Sequence, residues 1–170
     1  MAELVTGMHP KLVEALSAFN AEAKARNLIG AMHSGLRTEE EQQKLYAKGR
    51  TVPNPDGIVT NAKSAYDSWH GFGLAFDWVF KDPKGNWTWN GMPGVFKNEM
   101  TGLWKWNHEL DNKWHELGKV GAMFGLEWGG YWEKFRPDFP HFQMRGIFNN
   151  TAEAKKLLLE NNIEAVWGLI

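Results

Sequence analysis

Apolar side chains recur at helical spacing from Pro10 to Asn27, where Leu12, Val13, Leu16, Phe19 and Ala23 share one face. An amphipathic helix is predicted there, ending as Asn27 gives way to Leu28-Ile29-Gly30. The stretch from Ile29 to Arg37 is short, closes on Ser34-Gly35 and reads as a strand turning into a loop. Thr38 and Glu41 form a capping box, and Glu39 and Glu40 suit the positive end of a helix dipole, so a second helix runs to Lys48 and stops at Gly49. Residues 51 to 68 are rich in Pro, Asn, Asp, Gly and Ser without a sustained period, which predicts an irregular loop.

Leu74 to Phe80 is an apolar run of strand length, buried on at least one face. Lys81 to Asn107 is broken by Gly and Pro and contains Trp87, Trp89, Trp104 and Trp106, which leaves a hairpin or a long loop open. Leu110, Trp114, Leu117, Gly121 and Phe124 then line one face of a helix that ends at Gly125. After Pro140 a short strand is expected over Phe142 to Met144, and a last helix over Thr151 to Asn161, capped by Thr151. With no internal repeat, low-complexity tract or linker, these elements predict one α+β domain over residues 1 to 170. The expected architecture is a small antiparallel sheet with helices packed on it.

Composition narrows the possible functions. With 43% hydrophobic and 23% charged residues the chain has the make-up of a folded globular domain. Nineteen basic residues against twenty acidic ones supply no electrostatic footprint for nucleic acid. Cys is absent, which excludes disulfides, thiolate metal sites and a cysteine nucleophile, so any metal must be held by His and carboxylates. The N-terminal stretch lacks the pattern of a secretory signal, and no apolar run approaches the ~20 residues that span a bilayer. A soluble monomer made in a cytoplasm, without a membrane partner, is therefore expected.

Asp77 stands out within Ala75-Phe76-Asp77-Trp78-Val79-Phe80. It lies either on the exposed face of an amphipathic strand or beside a cation, because a buried carboxylate without a partner is costly. His70, in Ser68-Trp69-His70-Gly71-Phe72-Gly73, is followed by two glycines that let the backbone turn it toward Asp77. His141, in Phe139-Pro140-His141-Phe142, is an imidazole in an apolar setting that must find a partner. Two His and one carboxylate with an open fourth position are the ligand set of a catalytic zinc site, here at strand ends. A competing row, His108, Asp111 and His115, shares one helix face, but Glu109, Lys113, Glu116 and Lys119 on that helix favour a solvated polar face. His9 and His33 suggest no role.

Ser68-x-His70-x-x-Gly73-x-Ala75-x-Asp77, followed by Asp138-x-Pro140-His141, resembles the zinc peptidases that include D-Ala-D-Ala carboxypeptidases, vancomycin-resistance dipeptidases and phage L-Ala-D-Glu endopeptidases. Ser34-Gly35-Leu36-Arg37, the segment from Glu41-Gln42 to Thr51, and Leu126-Glu127-Trp128-Gly129-Gly130 extend the resemblance over roughly residues 30 to 145. It implies that His70, Asp77 and His141 bind zinc, that Asp138 is the general base, and that Arg37 binds the substrate carbonyl or its oxyanion. It further implies substrate binding by Gln42 and Ser68. One departure is Gly129-Gly130-Tyr131-Trp132, where relatives commonly have Asp in the third position.

The function so implied is an endolysin-like, phage-encoded lytic enzyme that cuts the L-Ala-D-Glu bond of the peptidoglycan stem peptide. It would act on the wall after release from the host cytoplasm, with no separate wall-binding domain. Two alternatives remain open at this point. A D-Ala-D-Ala carboxypeptidase or dipeptidase would use the same chemistry, with Arg50, Lys63 or Arg145 as candidate cations for a terminal carboxylate. A zinc-stabilised binding module without turnover is the other.

Overall fold

The structure, a computed structural model, describes residues 5–55, 57–88, 95–106, 112–145 and 151–169, without the side chains at 112 and 151. Helices α1 (Pro10–Ala25), α2 (Glu39–Ala47), α3 (Asn112–Met123), α4 (Thr151–Leu159) and α5 (Ile163–Trp167) accompany strands β1 (Gly30–Ser34), β2 (Ala75–Lys81), β3 (Trp87–Thr88), β4 (Val95–Lys97), β5 (Trp104–Trp106), β6 (Leu126–Trp128) and β7 (His141–Met144). The architecture is the expected α+β, with a five-stranded sheet in the order β1-β2-β7-β6 and β3 added to β2. β2 with β3 and β6 with β7 pair antiparallel. β4 and β5 form a separate antiparallel pair, so the Trp-rich segment contains a hairpin. No described helix is long and apolar enough to cross a membrane.

The chain divides into two compact units, residues 10–33 with 76–145 and residues 1–9 with 34–75 and 146–170. In the first of these, the helical spacing of α1 buries Leu12, Leu16, Phe19 and Ala23. Phe19 meets the rings of Phe76, Trp78 and Phe142 at 5.7, 5.9 and 4.9 Å. Alternation along β2 puts Phe76, Trp78 and Phe80 on one face, where Phe80 reaches Trp114 of α3 at 4.7 Å. Burying each such ring contributes roughly 1.5–3 kcal/mol. A Cβ at Gly118 would strike the Trp128 ring and one at Gly121 the Phe142 ring, so α3 approaches the sheet through its glycines.

In the other unit, Thr38 caps α2 as the sequence predicts: its side chain accepts from the Glu41 N–H while the Glu41 side chain accepts from the Thr38 N–H. Glu39 also accepts from the Ala65 N–H at 2.7 Å, tying α2 to the loop that leads to His70. Trp167 of α5 donates to the Phe72 carbonyl at 2.9 Å and packs edge-on against His9. α5 is an element that the sequence pattern did not announce, and so is β6. Trp89, His108 and Asp111, and the capping role expected of the Thr151 side chain, lie outside what is described.

Candidate metal centre

The chain turns sharply after His70 because glycine occupies the two positions where a side chain would not fit. A Cβ at Gly71 would collide with the Ala65 carbonyl, and Gly73 has a φ of +68° with its Cα facing the Gly7 carbonyl. His70 is buried, and its Nδ1 lies 2.8 Å from the Gly35 carbonyl oxygen. A carbonyl only accepts, so this contact places the proton on Nδ1 and the lone pair on Nε2. Ser68 accepts the His70 N–H through its hydroxyl at 3.3 Å. The Arg37 N–H donates to the His70 carbonyl at 3.2 Å, and its guanidinium donates to Gln42 Oε1 at 3.0 Å.

Gln42 is fully buried, with its amide nitrogen donating to the Ala62 carbonyl at 2.7 Å. The structure thus places Gln42 behind Arg37. Arg50 stacks on the Tyr46 ring at 3.8 Å and donates to the carbonyls of Tyr46 and Thr60 and to the Asn61 side chain.

Asp77 and His141 come together because β2 and β7 are neighbours in the sheet, joined on this side by the Trp78 N–H to the Pro140 carbonyl at 2.8 Å. One Asp77 oxygen lies 3.6 Å from His141 Nδ1, and the two side chains are 17% and 8% exposed. Of the two positions left open by the sequence, Asp77 therefore takes the partnered one. On the other edge of its ring, His141 Nε2 lies 2.9 Å from Gln143 Oε1. The indole of Trp132 packs against the imidazole at 5.1 Å, and its N–H is held by Glu127 at 2.9 Å.

Asp138 reaches this neighbourhood through a turn that only glycine permits. A Cβ at Gly129 would press on the Asp138 carbonyl at 2.5 Å and on the His141 Cβ at 3.2 Å. The Asp138 N–H donates to the Gly129 carbonyl and the His141 N–H to the Asp138 carbonyl. Burial alone would push the His141 imidazole down. The Asp77 carboxylate beside Nδ1, the negative charge of Asp138 and the contact with Gln143 outweigh it and hold the imidazole above its ordinary range.

His70, Asp77 and His141 each offer one ligand atom, all within 4.8 Å of one another. Two imidazoles and a carboxylate are a donor set suited to a divalent transition metal with a position left for substrate. Each imidazole also has its other nitrogen against an oxygen acceptor, the outer support that metal-binding histidines commonly have. The residues fit a metal on both counts. Of the competing row, His115 sets its ring edge-on to Trp106 and Tyr131, an aromatic environment. Tyr131, which stands where relatives commonly have Asp, also packs on Trp128 at 4.8 Å. Trp106 is buried against Trp128 and Phe139 and donates to the Gly130 carbonyl, so it packs over the core, whereas Trp87 is 38% exposed under the Lys81 ammonium.

Sequence reasoning missed Gln143 and Trp132 as neighbours of His141. The signal was present in the period of two that puts residues 141 and 143 on one face of a strand.

Residues 61–144 match the peptidase family described as D-alanyl-D-alanine carboxypeptidase. The peptidoglycan L-alanyl-D-glutamate endopeptidase CwlK of Bacillus subtilis (strain 168) is 31% identical over 137 residues, which is 81% of this chain and 73% of that protein. The fold is similar to that of the LdcB LD-carboxypeptidase, with a TM-score of 0.50 and 18% identity over 99% of this chain and 80% of that one.

Proposed function

We propose that this chain, which belongs to the metallopeptidase family described as D-alanyl-D-alanine carboxypeptidase, is a zinc-dependent hydrolase of the peptidoglycan stem peptide that cuts between L-Ala and D-Glu. The observation that carries the reading is the convergence of His70, Asp77 and His141 in a chain 31% identical to an L-alanyl-D-glutamate endopeptidase.

In this reading His70 contributes Nε2, His141 contributes Nδ1 and Asp77 a carboxylate oxygen. When bound, zinc supplies Lewis-acid polarisation of the scissile carbonyl and acidifies the attacking water. Asp138 is exposed beside the buried His141, where its carboxylate can accept a proton from that water and pass it to the leaving amine. Arg37, held from behind by Gln42, presents a permanent positive charge that would stabilise the oxyanion formed at the carbonyl. Ser68 keeps the turn before His70 in shape, and a substrate contact from its hydroxyl would come in addition.

The choice of bond is supported by the named activity of CwlK. The resemblance to compact phage enzymes supports a lytic role in which the protein, made in a host cytoplasm, meets the wall after release.

Digestion of purified peptidoglycan followed by mass spectrometry of the products tests the bond. The expected products carry L-Ala on the muramic acid and a new amino group on D-Glu. Free D-Ala as the main product, with the L-Ala-D-Glu bond intact, would move the assignment to a carboxypeptidase with the same site.

A further inference from the structure

We infer that Gln143 is a positioning residue for His141: it holds the imidazole proton on Nε2 and so commits Nδ1 to the metal. The inference rests on the zinc reading above and goes beyond it in naming the group that selects the ligand atom.

The period of two along β7 places His141 and Gln143 on one face of the strand while Phe142 turns into the core. Both residues are buried, at 6% exposure each, so the imidazole N–H and the amide have little access to bulk water. His141 Nε2 and Gln143 Oε1 are 2.9 Å apart, and an amide oxygen can only accept. The proton therefore belongs on Nε2, and the lone pair on Nδ1, the nitrogen that faces Asp77.

Asp77 pulls the other way. With its oxygen 3.6 Å from Nδ1, its carboxylate favours a proton on that nitrogen. In that tautomer the lone pair would lie on Nε2, on the edge of the ring away from Asp77, and His141 and Asp77 could not serve one ion through the facing atoms. Gln143 decides the competition without adding a charge. The same task is done for His70 by the Gly35 carbonyl, which no substitution can remove.

Gln143 is the register partner of Glu127 on β6. Glu127 accepts the Trp132 indole N–H at 2.9 Å, and Trp132 covers the His141 ring. Gln143 and Trp132 thus bear on the imidazole from its Nε2 edge and from its face.

Long-range proton–nitrogen correlation spectra of the full chain with labelled histidine rings, taken zinc-free with neutral imidazoles and then zinc-loaded, read the tautomer directly. Zinc affinity is measured alongside by competition with a chelator. The wild type is expected to carry the His141 proton on Nε2 in both states. Gln143→Leu is expected to shift the zinc-free tautomer toward Nδ1–H and to weaken zinc by about 10- to 100-fold. Gln143→Glu, which keeps an acceptor oxygen, is expected to retain the Nε2 proton.

A wild-type His141 protonated on Nδ1 would overturn the inference, as would wild-type tautomer and affinity in Gln143→Leu or loss of the Nε2 proton in Gln143→Glu. If Gln143→Leu does not fold, the wild type and Gln143→Glu still decide. A wild type that binds no zinc would sink the zinc reading, while the zinc-free tautomer would still report on Gln143.

Discussion

The two histidines of the centre are held in opposite ways. His70 sits in a turn built from backbone: glycines at 71 and 73, the Gly35 carbonyl on its ring and the Arg37 N–H on its own carbonyl. His141 sits on a strand and is surrounded by side chains, with Asp77, Gln143 and Trp132 around its ring and the charge of Asp138 acting on it. Backbone fixes where a ligand is. Side chains also set its charge, its tautomer and its proton affinity, so the chemistry that responds to pH and to single substitutions gathers at His141.

The largest expected effect comes from the His141 side. Asp138→Ala should keep the metal and lower turnover by about 100- to 10,000-fold, the usual range for general-base assistance. Turnover at the wild-type rate with zinc bound would remove Asp138 from the mechanism.

The pH dependence follows from the direction of the His141 shift. Its imidazole is raised in the folded, metal-free chain, and metal must displace the Nδ1 proton. Zinc affinity should therefore fall by about tenfold per pH unit below that raised value. The metal-free fold behaves in reverse: protonation of His141 stabilises it fully below the unfolded value of ~6.5, and this is lost as pH rises through the higher folded value. Zinc titrations and thermal melts across pH check both trends. Asp138→Ala should move the midpoint of zinc loss to lower pH, because one of the charges that raise His141 is gone.

A substitution in the turn sharpens the contrast. Gly71→Ala drives a methyl into the Ala65 backbone and should cost about 1–3 kcal/mol in a denaturant melt, weakening zinc without moving the pH midpoint. A shifted midpoint would show that the turn also sets the charge state. Smaller still, Thr38→Ala removes the cap of α2 and should cost ~1 kcal/mol while leaving zinc affinity and its pH dependence unchanged.

The same division explains what could be read from the sequence. The capping box at Thr38 and the face of α1 are local patterns, and both are present as expected. His70, Asp77 and His141 were legible because a carboxylate and two imidazoles in apolar runs call for a common partner, and their ligand atoms do converge. Gln143 was harder to pick out: the period of two puts it on the face of His141, but an uncharged amide on a short strand looks like any half-buried polar residue until its neighbour is read as a metal ligand. β6 and α5 escaped for a related reason. Three residues of Leu126-Glu127-Trp128 and five of Ile163–Trp167 are too short to show a period, and pairing with β7 or packing of Trp167 on the Phe72 backbone defines them. Gly129 is legible only in three dimensions, where it admits Asp138 and His141 to the same corner.

Elemental analysis of the purified chain decides whether His70, Asp77 and His141 hold the metal. One zinc per chain is expected for the wild type, lost together with activity in His70→Ala, Asp77→Ala and His141→Ala, each still folded by circular dichroism. Full zinc retention in all three folded variants would contradict the account, since the metal would then be held elsewhere.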